Sequence, residues 1–202
     1  MKSIGLLRKL HRSCYALEDI SKILEISRPS ARVFCNRKVK SGDLIRLRRD
    51  LYILSEKWNQ LGERELFLLS NLIQTPSYVS FQTALSFYGL TTQLHQNLIE
   101  AANPVRSKNY QVQSISFKYY YCQPSFYFGY RRMDGLFIAD PEKALLDCLY
   151  FTSIGRYALD HSALNLKDIH WNSIEKRLKN YPKRVNQFYE KWRKEIESSR
   201  TT

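Results

Sequence analysis

Apolar residues recur at helical spacing along the first quarter of the chain, then give way to short β-type runs. Ile4, Leu6, Leu7 and Leu10 form a brief helical stripe between Ile4 and His11. Leu17, Ile20, Ile23 and Leu24 predict a second helix over 17–24, and Glu25-Ile26-Ser27 reads as a short turn. Ser27 is a candidate N-cap for a third helix, and Pro29 falls in its first turn, where a missing N–H is harmless. That helix is expected to run to about Ser41, with Gly42 as its C′ stop. Two helices joined this way make a helix-turn-helix pattern. Leu44-Ile45-Arg46-Leu47 and Leu51-Tyr52-Ile53-Leu54 then predict a hairpin turning at Arg48-Arg49-Asp50. Helix-turn-helix followed by a hairpin is a winged-helix arrangement.

Residues 55–62 read as a linker. Beyond them the pattern becomes α+β. Glu63–Gln74 carries Leu66, Leu69 and Ile73 along one helical side. Tyr78-Val79-Ser80-Phe81 leads into a helix through Ala84, Leu85 and Tyr88, closed by Gly89. Leu98–Ala101, Ser114–Cys122, Phe126–Tyr130 and Leu136–Ala139 read as strands. Asp140-Pro141-Glu142 starts another helix, with Asp as N-cap, Pro at N1 and an acid favoured by the helix dipole. From Pro182 onward an amphipathic helix places Val185, Phe188, Tyr189, Trp192 and Ile196 on its apolar side, with Lys and Arg, including Arg200, opposite. The expected architecture is therefore α+β: an N-terminal winged helix-turn-helix (1–54), a linker, and a mixed α/β domain (63–202) ending in a basic amphipathic helix.

Charge changes this picture more than size does. The 202 residues carry a formal net charge of +13, and basic chains favour anionic partners, most often nucleic acid. The excess is uneven: residues 1–60 sum to +8, 61–155 to zero and 156–202 to +5. Arg28 to Arg49 hold eight basic residues against one acid, Asp43. No apolar run approaches the roughly 20 residues of a membrane helix, and basic residues interrupt the N-terminus, so neither a membrane nor a secretory segment is expected. Cys14, Cys35, Cys122 and Cys148 are dispersed, without metal-ligand spacing, as buried thiols of a cytoplasmic protein would be.

Turning the third helix at about 100° per residue separates its faces. Ala31, Phe34 and Cys35 point inward; Pro29, Val33, Asn36, Arg37 and Lys40 point outward, flanked by Ser30 and Arg32. Lys38 lies near the inward face, where its stem must snorkel. The outward set suits a helix lying in a DNA major groove: Arg can bond a guanine edge bidentately, Asn an adenine edge, Ser and Lys the phosphates. Arg48 and Arg49 at the hairpin tip can reach a minor groove or the backbone. The expected contact set is Arg28, Ser30, Arg32, Asn36, Arg37, Lys40, Arg46, Arg48 and Arg49. The alternative is a head that docks on protein or holds DNA without sequence preference.

Nine aromatics between Tyr110 and Tyr130 are base-stacking material. The body's neutrality instead assigns them to core and partner-facing strands. Asp140, Glu142, Lys143 and Asp147 are the densest charged group outside the head, but a helix start explains most of it. His11, His95, His161 and His170 are scattered, and no Gly-rich phosphate loop occurs. No catalytic constellation, metal or cofactor is expected.

SGDLIRLRRDLYIL (41–54), YVSFQTALSFYGL (78–90) and IADPEKALLDCLY (138–150) resemble, in that order, the AbiEi family of bacterial antitoxins and transcriptional regulators. The resemblance spans about residues 5–155. It implies a winged-helix head that represses its own operon and a C-terminal domain that counters a nucleotidyltransferase-like toxin in a type IV toxin–antitoxin system. By that resemblance Arg32, Asn36, Arg37, Arg46, Arg48 and Arg49 would contact operator DNA, and Ser80, Gly89, Pro141, Glu142, Lys143 and Asp147 occupy family positions in the body. Two departures stand out: Asp50 replaces the usual wing-tip glycine, and Lys38 replaces a common hydrophobic residue.

Overall fold

The computed structural model describes residues 4–10, 12–93 and 96–199. His11, His95 and Arg200 lie outside the described residues. Leu7 is fully buried within the one-turn helix α1 (Gly5–Arg8), which is shorter than the Ile4–His11 stripe suggests. The two-residue strand β1 (Tyr15–Ala16) leads into α2 (Leu17–Leu24), whose start is fixed by the Asp19 carboxylate accepting the Ala16 N–H at 3.1 Å. Glu25 turns the chain at a left-handed φ of 48°. Helix α3 (Arg28–Lys40) begins where Ser27 Oγ accepts the Ser30 N–H at 3.3 Å. It ends in a Schellman turn: Gly42 N–H donates to Val39 O, and Asp43 N–H to Lys38 O at 2.9 Å. Gly42 takes the φ of +79° that this turn requires.

Strands β2 (Leu44–Arg48) and β3 (Leu51–Leu54) pair antiparallel, with a bulge between Arg46 and Arg48, and β1 pairs with the other edge of β3. All four side chains of β3 are buried, and the two-residue period of a strand explains how. Tyr52 and Leu54 join the N-terminal core of Leu7, Tyr15, Leu17, Ile20, Leu24, Ala31 and Cys35. Leu51 and Ile53, with Leu47 from β2, face the opposite way into the core of the body. The hairpin is thus shared between two cores, and each fully buried aliphatic side chain contributes about 1.5–3 kcal/mol to holding it there.

The stretch 55–62 contains the one-turn helix α4 (Ser55–Trp58), with Trp58 and Leu61 packed on the body core. After α5 (Glu63–Ile73) come β4 (Tyr78–Val79), α6 (Phe81–Phe87), β5 (Leu98–Asn103), β6 (Lys108–Val112), β7 (Ile115–Tyr121), β8 (Tyr130–Met133) and β9 (Leu136–Ala139). The strands form one mixed sheet ordered β6-β7-β5-β4-β9-β8, parallel at β5·β7 and β4·β9. Helices α7 (Pro141–Ser153), α8 (Trp171–Leu178) and α9 (Lys183–Ser199) complete an α+β fold. Among the described residues no helix is long and apolar enough to cross a membrane.

The run Phe126–Tyr130, expected as a strand, is not one. Pro124–Phe126 forms a 3₁₀ turn, Gly129 adopts φ +72°, and the strand begins only at Tyr130. Its aromatics serve packing instead: Phe126 stacks on Tyr181 with ring centroids 4.4 Å apart. A Cβ on Gly129 would sit 3.0 Å from Lys143 Cβ, so the chain passes too close to α7 for a side chain. Of the other aromatics between Tyr110 and Tyr130, Phe117, Tyr119 and Tyr120 are buried and Tyr121 is exposed.

The charged group at the start of α7 is committed to structure. Asp140 caps the helix by accepting the Lys143 N–H at 2.8 Å and receives a bidentate Arg177 at 2.6 and 2.8 Å. Glu142 accepts from the backbone N–H of His170 at 3.1 Å. Lys143 and Asp147 form a fully buried ion pair one helical turn apart. Asp147 also accepts from Tyr78 Oη at 3.0 Å and Ser80 Oγ at 2.7 Å, and Lys143 donates to Tyr181 Oη at 3.1 Å. Burial is the strongest single influence on Lys143 and opposes its charge, but Asp147, Tyr181 and Cys122 together outweigh it and hold the ammonium pKa above its ordinary value.

Candidate nucleic-acid interface

Helix α3 turns one face into the N-terminal core and presents the other to solvent. Ala31 and Cys35 are fully buried and Phe34 is half-buried. Burial pushes the Cys35 thiol up to about 11, so it packs as a neutral group. Arg28, Pro29, Ser30, Arg32, Val33, Asn36, Arg37 and Lys40 are all exposed. Lys38 resolves its position near the inward face by pairing with Asp43 at 2.8 Å. The hydrogen bonds from Lys38 and Ser41 hold the Asp43 carboxyl below the usual carboxylate range.

Strand β2 lies beside α3, and the two elements share side-chain contacts. Arg46 donates to Asn36 Oδ1, and its guanidinium lies 5.8 Å from the Tyr52 ring centroid. Asp50, at the hairpin turn, accepts from Arg32 at 3.2 and 3.3 Å and from Arg28 at 3.5 Å. Arg28 also pairs with Glu18 at 2.8 Å. Ser30 Oγ is hydrogen-bonded to Ser27 Oγ at 2.9 Å, within the helix cap. A cleft of about 340 Å³ between helix and hairpin is lined by Arg32, Asn36, Arg46, Arg49, Asp50 and Tyr52.

The nine residues expected at the interface are all exposed, and they differ in what holds them. Arg37 and Lys40 carry charge with no acidic partner among the described residues; Arg48 also lacks one and donates to Arg49 O at 3.2 Å. Arg28 and Arg32 are held by acids. Asn36 and Arg46 are tied to each other through the Asn36 amide oxygen, which leaves its second lone pair and its NH₂ donors for another partner.

The fold also adds two cations that sequence reasoning did not reach. A second cleft, about 730 Å³, opens between the hairpin and the body and is lined by Arg46, Arg48, Arg49, Arg106, Lys108 and Tyr110, among others. Arg106 and Lys108 come from the body, before and at the start of edge strand β6, which passes the hairpin. Neither has an acidic partner among the described residues; Lys108 lies 5.7 Å from the Tyr110 ring centroid. The body's net charge of zero concealed them, because averaging over 95 residues hides two cations gathered at one edge. The arrangement can bind extended polyanions: exposed Lys and Arg heads around the hairpin, with the Asn36, Asn109 and Gln111 amides among them. The chain matches no protein-family model and none of the curated proteins it was compared with.

Proposed function

We propose that this protein is a sequence-specific DNA-binding repressor of the winged helix-turn-helix type, with α3 as the recognition helix and the β2–β3 hairpin as the wing. The observation that carries the reading is the joint placement of Arg32, Asn36, Arg37 and Lys40 on the solvent face of α3, beside Arg46, Arg48 and Arg49 on the hairpin. A helix presenting Arg and Asn can read guanine and adenine edges in the major groove, and the wing cations can bind the flanking phosphates. The +8 charge of the first 60 residues supports a polyanionic partner. Arg106 and Lys108 extend the phosphate-binding surface onto the body.

The resemblance of residues 5–155 to AbiEi proteins supports a further step: the repressor acts on its own operon in the cytoplasm, and its body serves as the antitoxin to a nucleotidyltransferase-like toxin. A transcriptional reporter fused to the DNA upstream of the gene tests the first part. Expression should fall when the protein is supplied and recover with Arg37→Ala; unchanged expression with the wild type would reject autoregulation. Co-expression with a nucleotidyltransferase-like protein encoded next to the gene tests the second. Rescue of growth supports the antitoxin role, and toxicity that the protein leaves unaltered rejects it.

A further inference from the structure

We infer that Asp50 is a built-in counter-anion that sets how strongly the interface discriminates between DNA sequences; the inference rests on the DNA-binding reading above. Asp50 is the single acid lining either basic cleft among the described residues. Its carboxylate touches Arg32 through both oxygens at 3.2 and 3.3 Å, reaches Arg28 at 3.5 Å, and lies 4.0 Å from Arg49 Nε. It is also the shielded member of that group: its side chain is 21% exposed, against 45%, 57% and 88% for the three arginines. The acid thus occupies the place between helix and wing where an incoming phosphate or base edge would sit.

The turn itself does not depend on the carboxylate. Asp50 stands at φ +60°, and its backbone carbonyl accepts the Leu17 N–H at 3.0 Å, tying the wing tip to the start of α2. Asparagine adopts this conformation readily, and glycine does so without strain. The carboxylate is therefore separable from the fold.

Its effect follows from what each kind of DNA contact returns. A phosphate reaching Arg32 exchanges one anion for another, so the net gain is small and few counterions are released. A guanine edge offers Arg32 two neutral acceptors, O6 and N7, which the Asp50 carboxylate repels far less than it repels a phosphate anion. Random duplex, held mainly through phosphates, is penalised more than a matched site. Asp50 thereby converts electrostatic attraction into selectivity, the work of a repulsive element in a recognition surface.

The test is titration of wild type, Asp50→Asn and Asp50→Gly against a duplex from the upstream region and a shuffled duplex of equal composition, at 50 and 200 mM salt. Both variants should bind the shuffled duplex about tenfold more tightly at 50 mM and the matched duplex only about two- to threefold, so discrimination falls. Each freed arginine should steepen the salt slope by about 0.9, an extra loss of roughly three- to fourfold between the two salt concentrations. Asp50→Asn in an Arg32→Gln background should show a smaller gain, because the principal cation it releases is gone. Variants with wild-type circular dichroism but unchanged or weaker shuffled-duplex binding would overturn the inference while leaving DNA binding intact. A wild type and variants that all ignore both duplexes would overturn the DNA-binding reading, and the inference with it.

Discussion

Asp147→Asn is expected to be among the most destabilising single substitutions in the body. Asp147 and Lys143 are buried to 1% and 0% exposure, and the Asp147 carboxylate is the ammonium's charged partner. The substitution removes that charge but keeps an amide oxygen that can still accept from Tyr78 and Ser80. What remains is an uncompensated ammonium in the core, with the Tyr181 hydroxyl beside it. Breaking a buried pair this way costs about 3–5 kcal/mol. At about 2–4 °C per kcal/mol for a chain of this size, Tm should fall by about 6–20 °C. The pH dependence follows from the raised Lys143 pKa. A folded-state value above the unfolded one gives stability that is complete below the unfolded pKa and lost only as pH rises through the folded one. The wild type's contribution should therefore be flat between pH 6 and 9, whereas in Asp147→Asn burial acts on Lys143 without its charge partner and lowers its pKa, so the loss should shrink as pH rises. Thermal and urea unfolding followed by circular dichroism measure it, and Lys143→Met added to Asp147→Asn should recover part of the loss by removing the stranded charge. A loss below about 1 kcal/mol, or a double variant no better than the single one, would show that the pair does not carry the energy assigned to it.

The interface yields two further tests. Arg37→Ala should reduce preference for the matched duplex by about 1–3 kcal/mol, whereas Lys40→Ala should weaken matched and shuffled duplexes alike and lower the salt slope by about 0.9; identical behaviour of the two variants would reject the division of α3 into base-reading and phosphate-binding positions. Arg106→Gln with Lys108→Gln should weaken both duplexes equally and lower the slope by up to about 1.8, and a footprint or slope unchanged by the pair would confine the interface to the first 54 residues.

Local chemistry made the head legible. Ser27, Pro29 and Gly42 mark the ends of α3 with specific backbone roles, and the expected span of α2 coincides with the observed Leu17–Leu24. Asp140 and Pro141 mark α7 in the same way. Helix α8 was legible but missed, since Trp171, Ile174 and Leu178 stand at helical spacing; two missed strands have no local signature. β1 is two residues long and exists because Tyr15 and Ala16 pair with β3. β6 reads Lys-Asn-Tyr-Gln-Val, a polar edge strand without alternation, defined by its ladder to β7. The aromatic run 126–130 has strand composition, but Gly129 and the closeness of α7 decide its path. At the interface, helical periodicity separated the exposed and buried faces of α3. It could not show that Asp50 gathers Arg28 and Arg32, or that the chain around the start of β6 brings Arg106 and Lys108 to the hairpin, because those neighbours are set by tertiary contacts across many residues.

Fluorescence-anisotropy titration of the full chain against labelled upstream and shuffled duplexes, at 50 and 200 mM salt, tests the assignment of α3 and the wing as a DNA-reading surface most directly. Binding should prefer the upstream duplex and weaken by about 10³-fold across that salt range if about six phosphates are neutralised. Binding that ignores salt, or no binding to either duplex at 50 mM, would contradict it.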